Sequence, residues 1–480
     1  MNITEILSNS EPDGYGDPVV ALTSDNREVF VISDLHLAAG INANGNYDGT
    51  ENFFADQSLS RFLEHLKKGA PSDKKALLVI NGDFVDFLRI RNLPQTPADF
   101  VMWSQILKKL GLDKNAEMLR TSITPKELKY GLRTDDFKSV WKLYVCRQGH
   151  RVVFESLTNW LREGNDLIVV KGNHDLEWYW KLVRDFLRVL LFQDISVSTG
   201  QIRFVDDKLV IDGKIYVEHG HRYENFTAVD GGPVLAGGTE LNLPFGSFFN
   251  RYLINRIELA YPFIDDVRPR QQILPMLIRE RFPLAIQLLF RYIPFTLLVI
   301  PKKQYRFALR FLAQFFWIII FPVALTLFGI YKSLPHPIHL FRMAPGTSSV
   351  WQSILSPLKN LLLLSLSYFL GRLFSILSLS APTSFYPNSL AIFKTHPGID
   401  IVTFGHTHDP EQKKSGGKDY YNTGTWIPVF ELDAANVRLD KTYTFIQFSQ
   451  DSSGEMRTPG LMRWNDDALR EDSMQLRDKI

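Results

Sequence analysis

Apolar and polar positions follow a recurring pattern along this chain: a short, β-branched apolar run ends abruptly in Asp, Asn or His. EVFVISDLHL (28–37) reads as a buried strand running into a polar loop. ALLVINGD (76–83), DLIVVKGNHD (166–175), KIYVEHGH (214–221) and IDIVTFGHTHDP (399–410) repeat the pattern, and YYNTGTWIP (420–428) and TYTFIQF (442–448) read as closing strands. Residues 59–68 space their apolar positions as a helix, which Gly69 suits as a C-terminal stop. Residues 97–163 have a largely helical pattern, with Trp103, Ile106, Leu107 and Leu110 at helical spacing and FESLTNWLREG closing at Gly164. No repeat of fixed period is present. Ligand sites in α/β proteins gather at the carboxyl ends of strands. Five strands ending in metal-type side chains therefore predict one shared rim.

The block from about 235 to 395 breaks this pattern. FLAQFFWIIIFPVALTLFGIY, Phe311 to Tyr331, carries no charge over 21 residues, long enough to span a bilayer as a helix, although Pro322 would kink it. LLLLSLSYFLG (361–371) stops at Arg372 and is continued by LFSILSLSAP (373–382), while YIPFTLLVI (292–300) is too short to span. The expected organisation is a catalytic core over 1–234 with a helical insert at about 97–163, a helical insertion over 235–395, a second core part over 396–450, and a charged tail over 451–480.

Charge sharpens the contrast. The chain of 480 residues has a net charge of +2, but residues 241–390 hold 15 Lys and Arg against 4 Asp and Glu, a net of +11. The remainder holds 39 basic and 48 acidic residues, a net of −9. No acid occurs from Arg281 to Ile399. Such a segment suits an anionic partner. Nucleic acid fits poorly, because the basic residues are scattered among apolar ones and no nucleic-acid module accompanies them. The single cysteine, Cys146, excludes an internal disulfide framework and fits a reducing compartment. The start, MNITEILSNSEPDGYGDP, lacks the features of a signal peptide, so a cytoplasmic location is expected.

The strand-end residues carry the chemistry. Asp34 and His36 lie two apart and share a side of an extended chain. GDFVD supplies Asp83 and Asp86; GNHD supplies Asn173, His174 and Asp175; HGH supplies His219 and His221; GHTH supplies His406 and His408. Each motif alone also reads as structural: Asn173 as a turn residue beside Gly172, Asp86 as a helix-start acid, a lone His as a satisfied core residue. Together the set holds only carboxylates, an amide and imidazoles, donors that suit Mn²⁺, Fe²⁺ or Zn²⁺ rather than a thiolate site.

The five motifs, in this order, resemble those of the calcineurin-like metallophosphoesterases over residues 28–230 and 396–450. The resemblance implies a four-layer αββα sandwich of two sheets flanked by helices, here with a large hydrophobic, basic, mostly helical insertion. It implies two divalent ions, Mn²⁺ first, with Fe²⁺ or Zn²⁺ as alternatives. Asp34, His36 and His408 would hold one ion, Asn173, His219 and His406 the other, and Asp83 would bridge them. His174 would act as general acid with Asp86 orienting it. His221 would line the substrate pocket or support His219, and Asp175 would tie down its loop.

Serine/threonine protein phosphatases of the family carry Arg-Gly after the second motif, where this chain has FVDFLRI. SDLHL, GDFVDF and the placement of the insertion resemble the UDP-2,3-diacylglucosamine pyrophosphatase group, except that this group usually has Arg at the position of His174. The expected activity is hydrolysis of a phosphodiester or pyrophosphate bond at the cytoplasmic face of a membrane, on a lipid-linked substrate. The alternative is a phosphodiesterase or nuclease acting on a soluble substrate and only anchored there. For the insertion, a basic cap lying in the lipid interface leads. A helical hairpin through the bilayer, and an apolar domain buried against itself or in a homodimer, are the other two readings.

Overall fold

A computed structural model describes residues 19–24, 27–69, 75–192, 199–261, 267–268, 273–292, 305, 309, 384–431, 436–437, 442–448 and 460–474. The chain divides into two compact units, residues 1–296 with 382–480, and residues 297–381. In the second unit only Tyr305 and Leu309 are described.

The strands of the first unit are β1 (Val20–Leu22), β2 (Glu28–Ile32), β3 (Ala76–Asn81), β4 (Asp166–Val170), β5 (Ile202–Val205), β6 (Lys208–Ile211), β7 (Ile215–Glu218), β8 (Val267–Arg268), β9 (Ile401–Phe404), β10 (Glu411–Ser415), β11 (Lys418–Asn422), β12 (Phe430–Glu431), β13 (Asn436–Val437), β14 (Thr444–Phe448), β15 (Gly460–Asn465) and β16 (Arg470–Ser473). They form a seven-stranded sheet, β16-β15-β14-β2-β3-β4-β5, a six-stranded sheet, β1-β6-β7-β9-β11-β10, and a small sheet, β13-β12-β8. Both large sheets are mixed: β2, β3, β4 and β5 run parallel, as do β7, β9 and β11, while β14, β15 and β16 pair antiparallel.

Side-chain alternation sorts the core into layers. Val29, Val31, Leu77, Val79, Ile168 and Val170 from one sheet pack with Leu209, Ile211, Ile215, Val217, Ile401 and Tyr421 from the other. The opposite residues, Phe30, Ile32, Leu78, Ile80, Leu167 and Val169, pack against Leu59, Phe62, Val153, Phe154 and Trp160 from helices Asp56–Gly69 and Arg151–Arg162. Tyr216, Val402, Phe404 and Tyr420 pack with Ile392 and Phe393 of helix Tyr386–Thr395. The arrangement is mixed α/β and compatible with the expected sandwich. Near-continuous apolar runs in β2, β3 and β4 follow from this burial on both faces.

Five helices occupy Pro97 to Arg162. Thr96 and Thr124 start two of them with capping boxes closed by Asp99 and Glu127. Residues 460–474, expected in a charged tail, instead form β15 and β16 at the sheet edge. β16 is the edge strand, and its Arg470, Glu471 and Asp472 are charges of the kind that discourage further pairing. The large hydrophobic insertion is not shown. FLAQFFWIIIFPVALTLFGIY and both runs between 361 and 382 lie outside the described residues, and no helix among the described residues is long and apolar enough to cross a membrane.

His150 marks an electrostatic tie in the core. Fully buried, it donates to Asp56 Oδ1 at 3.0 Å and Glu51 Oε2 at 3.1 Å. Burial disfavours its charge, but Glu51 and Asp56 outweigh burial and raise its pKa to about 9. A folded-state pKa above the unfolded value of about 6.5 stabilises fully below that value, and the gain is lost as pH rises through about 9. The upper bound is about 3 kcal/mol. His150→Gln should therefore melt lower than the parent near pH 6, and the gap should close toward pH 9 in paired thermal melts; a gap independent of pH contradicts this.

Candidate metal centre

The parallel strands bring their carboxyl ends to one rim. Asp34 and His36 follow β2, Asp83 and Asp86 follow β3, Asn173 and His174 follow β4, His219 and His221 follow β7, and His406 and His408 follow β9. Backbone bonds stitch these loops together. His36 N–H donates to Asp83 O at 2.8 Å, Leu37 N–H to Phe84 O at 3.0 Å, Phe87 N–H to His174 O at 3.2 Å, and Gly405 N–H to His219 O at 3.1 Å. Asp175 clamps two loops, accepting from Gly172 N–H at 2.6 Å and Phe84 N–H at 2.9 Å.

The side chains converge in two sets, one around His36 and His408 and one around His219 and His406, with a third group that links them. Asp34, His36 and His408 offer donor atoms within 4.8 Å of one another, as do Asp83, His219 and His406, and as do His36, Asp83 and His174. His36 Nε2 and His408 Nε2 stand 3.0 Å apart, and Asp34 Oδ1 lies 3.3 Å from His408 Nε2 and 3.7 Å from His36 Nε2. One oxygen faces both sets: Asp83 Oδ2 is 3.7 Å from His36 Nε2 and 3.2 Å from His219 Nε2. Its other oxygen accepts His174 N–H at 2.8 Å, which fixes the carboxylate plane. Asn173 is buried between these loops, and its Oδ1 accepts no hydrogen bond.

The backbone is strained where these groups sit. Asp34 (φ 55°), His36 (φ 51°), Asp83 (φ 52°), His406 (φ 70°) and His408 (φ 60°) all occupy the left-handed region. Each costs on the order of 1–3 kcal/mol, and such strain concentrates at functional sites. Space is equally tight. A Cβ at Gly172 would lie 2.1 Å from Asp83 Oδ1, so only glycine lets the third motif approach the shared carboxylate.

Electrostatics bind the cluster together. Burial disfavours the charged carboxylates, yet His219, His36 and His408 hold Asp34 below the usual carboxylate range, and His219, His174 and His36 do the same for Asp83. Burial disfavours charge on the imidazoles too, but the acids prevail, raising His36 and bringing His219 to about 9. The cluster thus demands positive charge among its acids, as protons or as cations.

The donor set fits divalent ions. Asn173 Oδ1 is buried without a hydrogen-bond partner, and Asp34 Oδ1 and His219 Nε2 have charged neighbours but no well-aligned hydrogen bond, which is costly unless a cation engages them. Outer partners fix the imidazoles in the way metal ligands are commonly fixed. His36 Nδ1 lies 3.2 Å from Asp86 Oδ2 and His219 Nδ1 lies 2.8 Å from Asn81 O, so both direct Nε2 at the acids. His174 Nδ1 also meets Asp86 Oδ2, at 2.8 Å. His221 is buried beside His219 and His406, with ring centres 5.5 Å and 6.4 Å away, and burial followed by these two imidazoles pushes its pKa well down.

Sequence reading missed two groups. Glu224 Oε2 lies 2.8 Å from His406 Nε2, leaving Nδ1 as the nitrogen available for a metal. Arg89 donates through Nε to Asp86 Oδ2 at 3.1 Å and through Nη1 to Glu258. The acid in HGHRYENF was visible as a residue, but no local spacing tied it to a histidine so far along the chain.

No protein-family model and no curated protein matches the chain. Among solved structures, it is similar to a Staphylococcus aureus protein designated a 5′-nucleotidase, crystallised in complex with α-ketoglutarate. Identity is 10% and the TM-score 0.29 over 94% of this chain, which spans 56% of the length of that one.

Metal must displace protons from the raised imidazoles. Apparent Mn²⁺ affinity, titrated calorimetrically into apo-protein, should rise with pH until His219 is deprotonated at about 9. A flat profile over that range contradicts the assignment. Glu224→Gln should weaken one of two bound ions by about 10–100-fold while the melting temperature of the apo-protein changes little.

Proposed function

We propose that this chain is a phosphohydrolase dependent on two divalent metal ions, of the calcineurin-like metallophosphoesterase type. The observation that carries the reading is the single Asp83 oxygen facing both imidazole sets. A carboxylate shared between two cations sets their spacing in a way neutral ligands do not. Asp34, His36 and His408 would hold one ion and Asn173, His219 and His406 the other. When bound, such ions supply an acidified water and neutralise phosphoryl oxygens. The hard and borderline donor set favours Mn²⁺, with Fe²⁺ or Zn²⁺ as alternatives.

The remaining work falls to the protein. His174 keeps Nδ1 on Asp86, which directs Nε2 outward toward a leaving oxygen. Burial opposes its charge, but Asp86 and Asp83 raise its pKa, so it holds a proton to donate. Asp86, held by Arg89, keeps that ring from turning. His221, kept neutral by burial and by the neighbouring imidazoles, would donate a hydrogen bond to a substrate oxygen without adding charge.

For the substrate, a lipid-linked phosphodiester or pyrophosphate is the reading we favour, with the protein working at a membrane surface. Support comes from the basic block and from its described part. Ile278, Phe282 and Ile286 are exposed there, interleaved with the exposed Arg279 and Arg281 and one acid, Glu280. Apolar side chains among cations suit an anionic lipid interface.

With Mn²⁺, the protein should hydrolyse bis-p-nitrophenyl phosphate or a diacyl or prenyl pyrophosphate. Asp83→Asn should lower turnover by more than the roughly 100-fold typical of losing an outer partner, with folding intact by circular dichroism. Full activity in that variant excludes the two-metal mechanism. Turnover of the soluble diester with none on lipid pyrophosphates would sink the lipid reading alone.

A further inference from the structure

The Asp86 carboxylate does more than one job. Its Oδ2 is met by three nitrogen donors: His36 Nδ1 at 3.2 Å, His174 Nδ1 at 2.8 Å and Arg89 Nε at 3.1 Å. Its Oδ1 accepts Arg89 N–H at 3.1 Å. One carboxylate therefore orients a metal-ligand candidate and the general-acid candidate together. Whatever fixes Asp86 fixes both.

Arg89 is what fixes it, and Arg89 is itself held from a distant part of the chain. It is 2% exposed, and its Nη1 donates to Glu258, which is 1% exposed. Asn255, in the same short helix as Glu258, donates through Nδ2 to Leu88 O at 2.7 Å. From the other side, Thr50 Oγ1 donates to Arg89 O at 2.8 Å. The preceding turn is anchored by Arg251 Nη2, which donates to Gly131 O and Leu132 O at 2.8 Å each. A buried ion pair removed at one partner leaves an uncompensated charge, so this relay is sensitive to either end.

We propose that Arg89 and Glu258 are positioning residues. They lock Asp86, and through it His36 and His174, so that residues 251–258, which lie within the block expected as an insertion over 235–395, form part of the candidate metal centre's support. The proposal rests on the two-metal reading and extends it to residues that touch neither metal nor substrate. Neutralising Glu258 removes the charged partner of Arg89 Nη1 and loosens the Arg89 grip on Asp86, and His36 is then held less firmly in its tautomer and ring angle. The ion held by Asp34, His36 and His408 should weaken, while the ion on the His219 side should not.

The test is calorimetric titration of Mn²⁺ into the full-length apo-protein, with thermal melts alongside, for the parent, Glu258→Gln, Arg89→Gln and the double variant. The expected result is two ions in the parent and one of them bound about 10-fold more weakly in Glu258→Gln. The double variant should bind no more weakly than Arg89→Gln, because Glu258 acts through Arg89. Parent-like affinity for both ions in Glu258→Gln overturns the proposal. So does equal weakening of both ions with a fall in melting temperature, which marks a merely structural pair. If Arg89→Gln does not fold, the Glu258→Gln titration alone decides between these outcomes. A parent that binds no Mn²⁺ refutes the two-metal reading itself, and the proposal with it.

Discussion

Three buried carboxylates, Asp34, Asp83 and Asp86, sit among imidazoles at the meeting point of two sheets, and everything near them is arranged to make that concentration of charge tolerable. An isolated buried carboxylate is expensive enough that it would protonate. Here imidazoles hold Asp34, Asp83 and Asp86 ionised, and the acids in turn raise the pKa of His36, His174 and His219, so these groups depend on one another. The strained φ values, the glycine at 172 and the backbone bonds between loops are the geometric cost of bringing these groups so close. The sandwich supplies the stiffness that keeps the strain from relaxing, because β2, β3 and β4 are buried on both faces up to the residues where the loops begin.

The division of labour between inner and outer groups follows from the same electrostatics. Imidazole has two nitrogens, and a metal needs one. Wherever the structure gives the second nitrogen a partner, the ring is committed: Asp86 for His36 and His174, Asn81 O for His219, Glu224 for His406. These partners differ in charge. A carbonyl behind His219 leaves that ring a weaker donor than a carboxylate would, so His219 is not equivalent electronically to His36 or His406.

Much of this was legible in the sequence, for a definite reason. A strand buried on both faces writes a run such as ALLVIN, and the switch to GDFVD marks where the chain leaves the sheet, so the rim residues announce themselves by position. The helical pattern over 97–163 was legible as one block, whereas the separate helix starts at Thr96 and Thr124 came only with the structure. What escaped was non-local or polar. Glu224, Arg89 and Glu258 work through partners far away in the chain, and nothing in their neighbours' spacing shows it. β10 (EQKKS) and β16 (REDS) are edge strands whose charge suits solvent, so they lack the apolar alternation that identifies a strand and read as loop or tail.

The pairing of β14 with β2 carries a consequence for how the molecule is made. Ile446 lies opposite Val31, so the first long strand of the large sheet waits for one of the last to cover its side. During synthesis from the N-terminus, EVFVI can pair with β3, and β3 with β4, early, but the other edge of EVFVI stays open until residues 444–448 have emerged. An open apolar edge of that kind invites the wrong partner. His406 and His408 arrive by the same late route, so the candidate metal-ligand cluster cannot assemble before the sheet is nearly closed. Metal capture would then act as a final latch on folding rather than a nucleus for it.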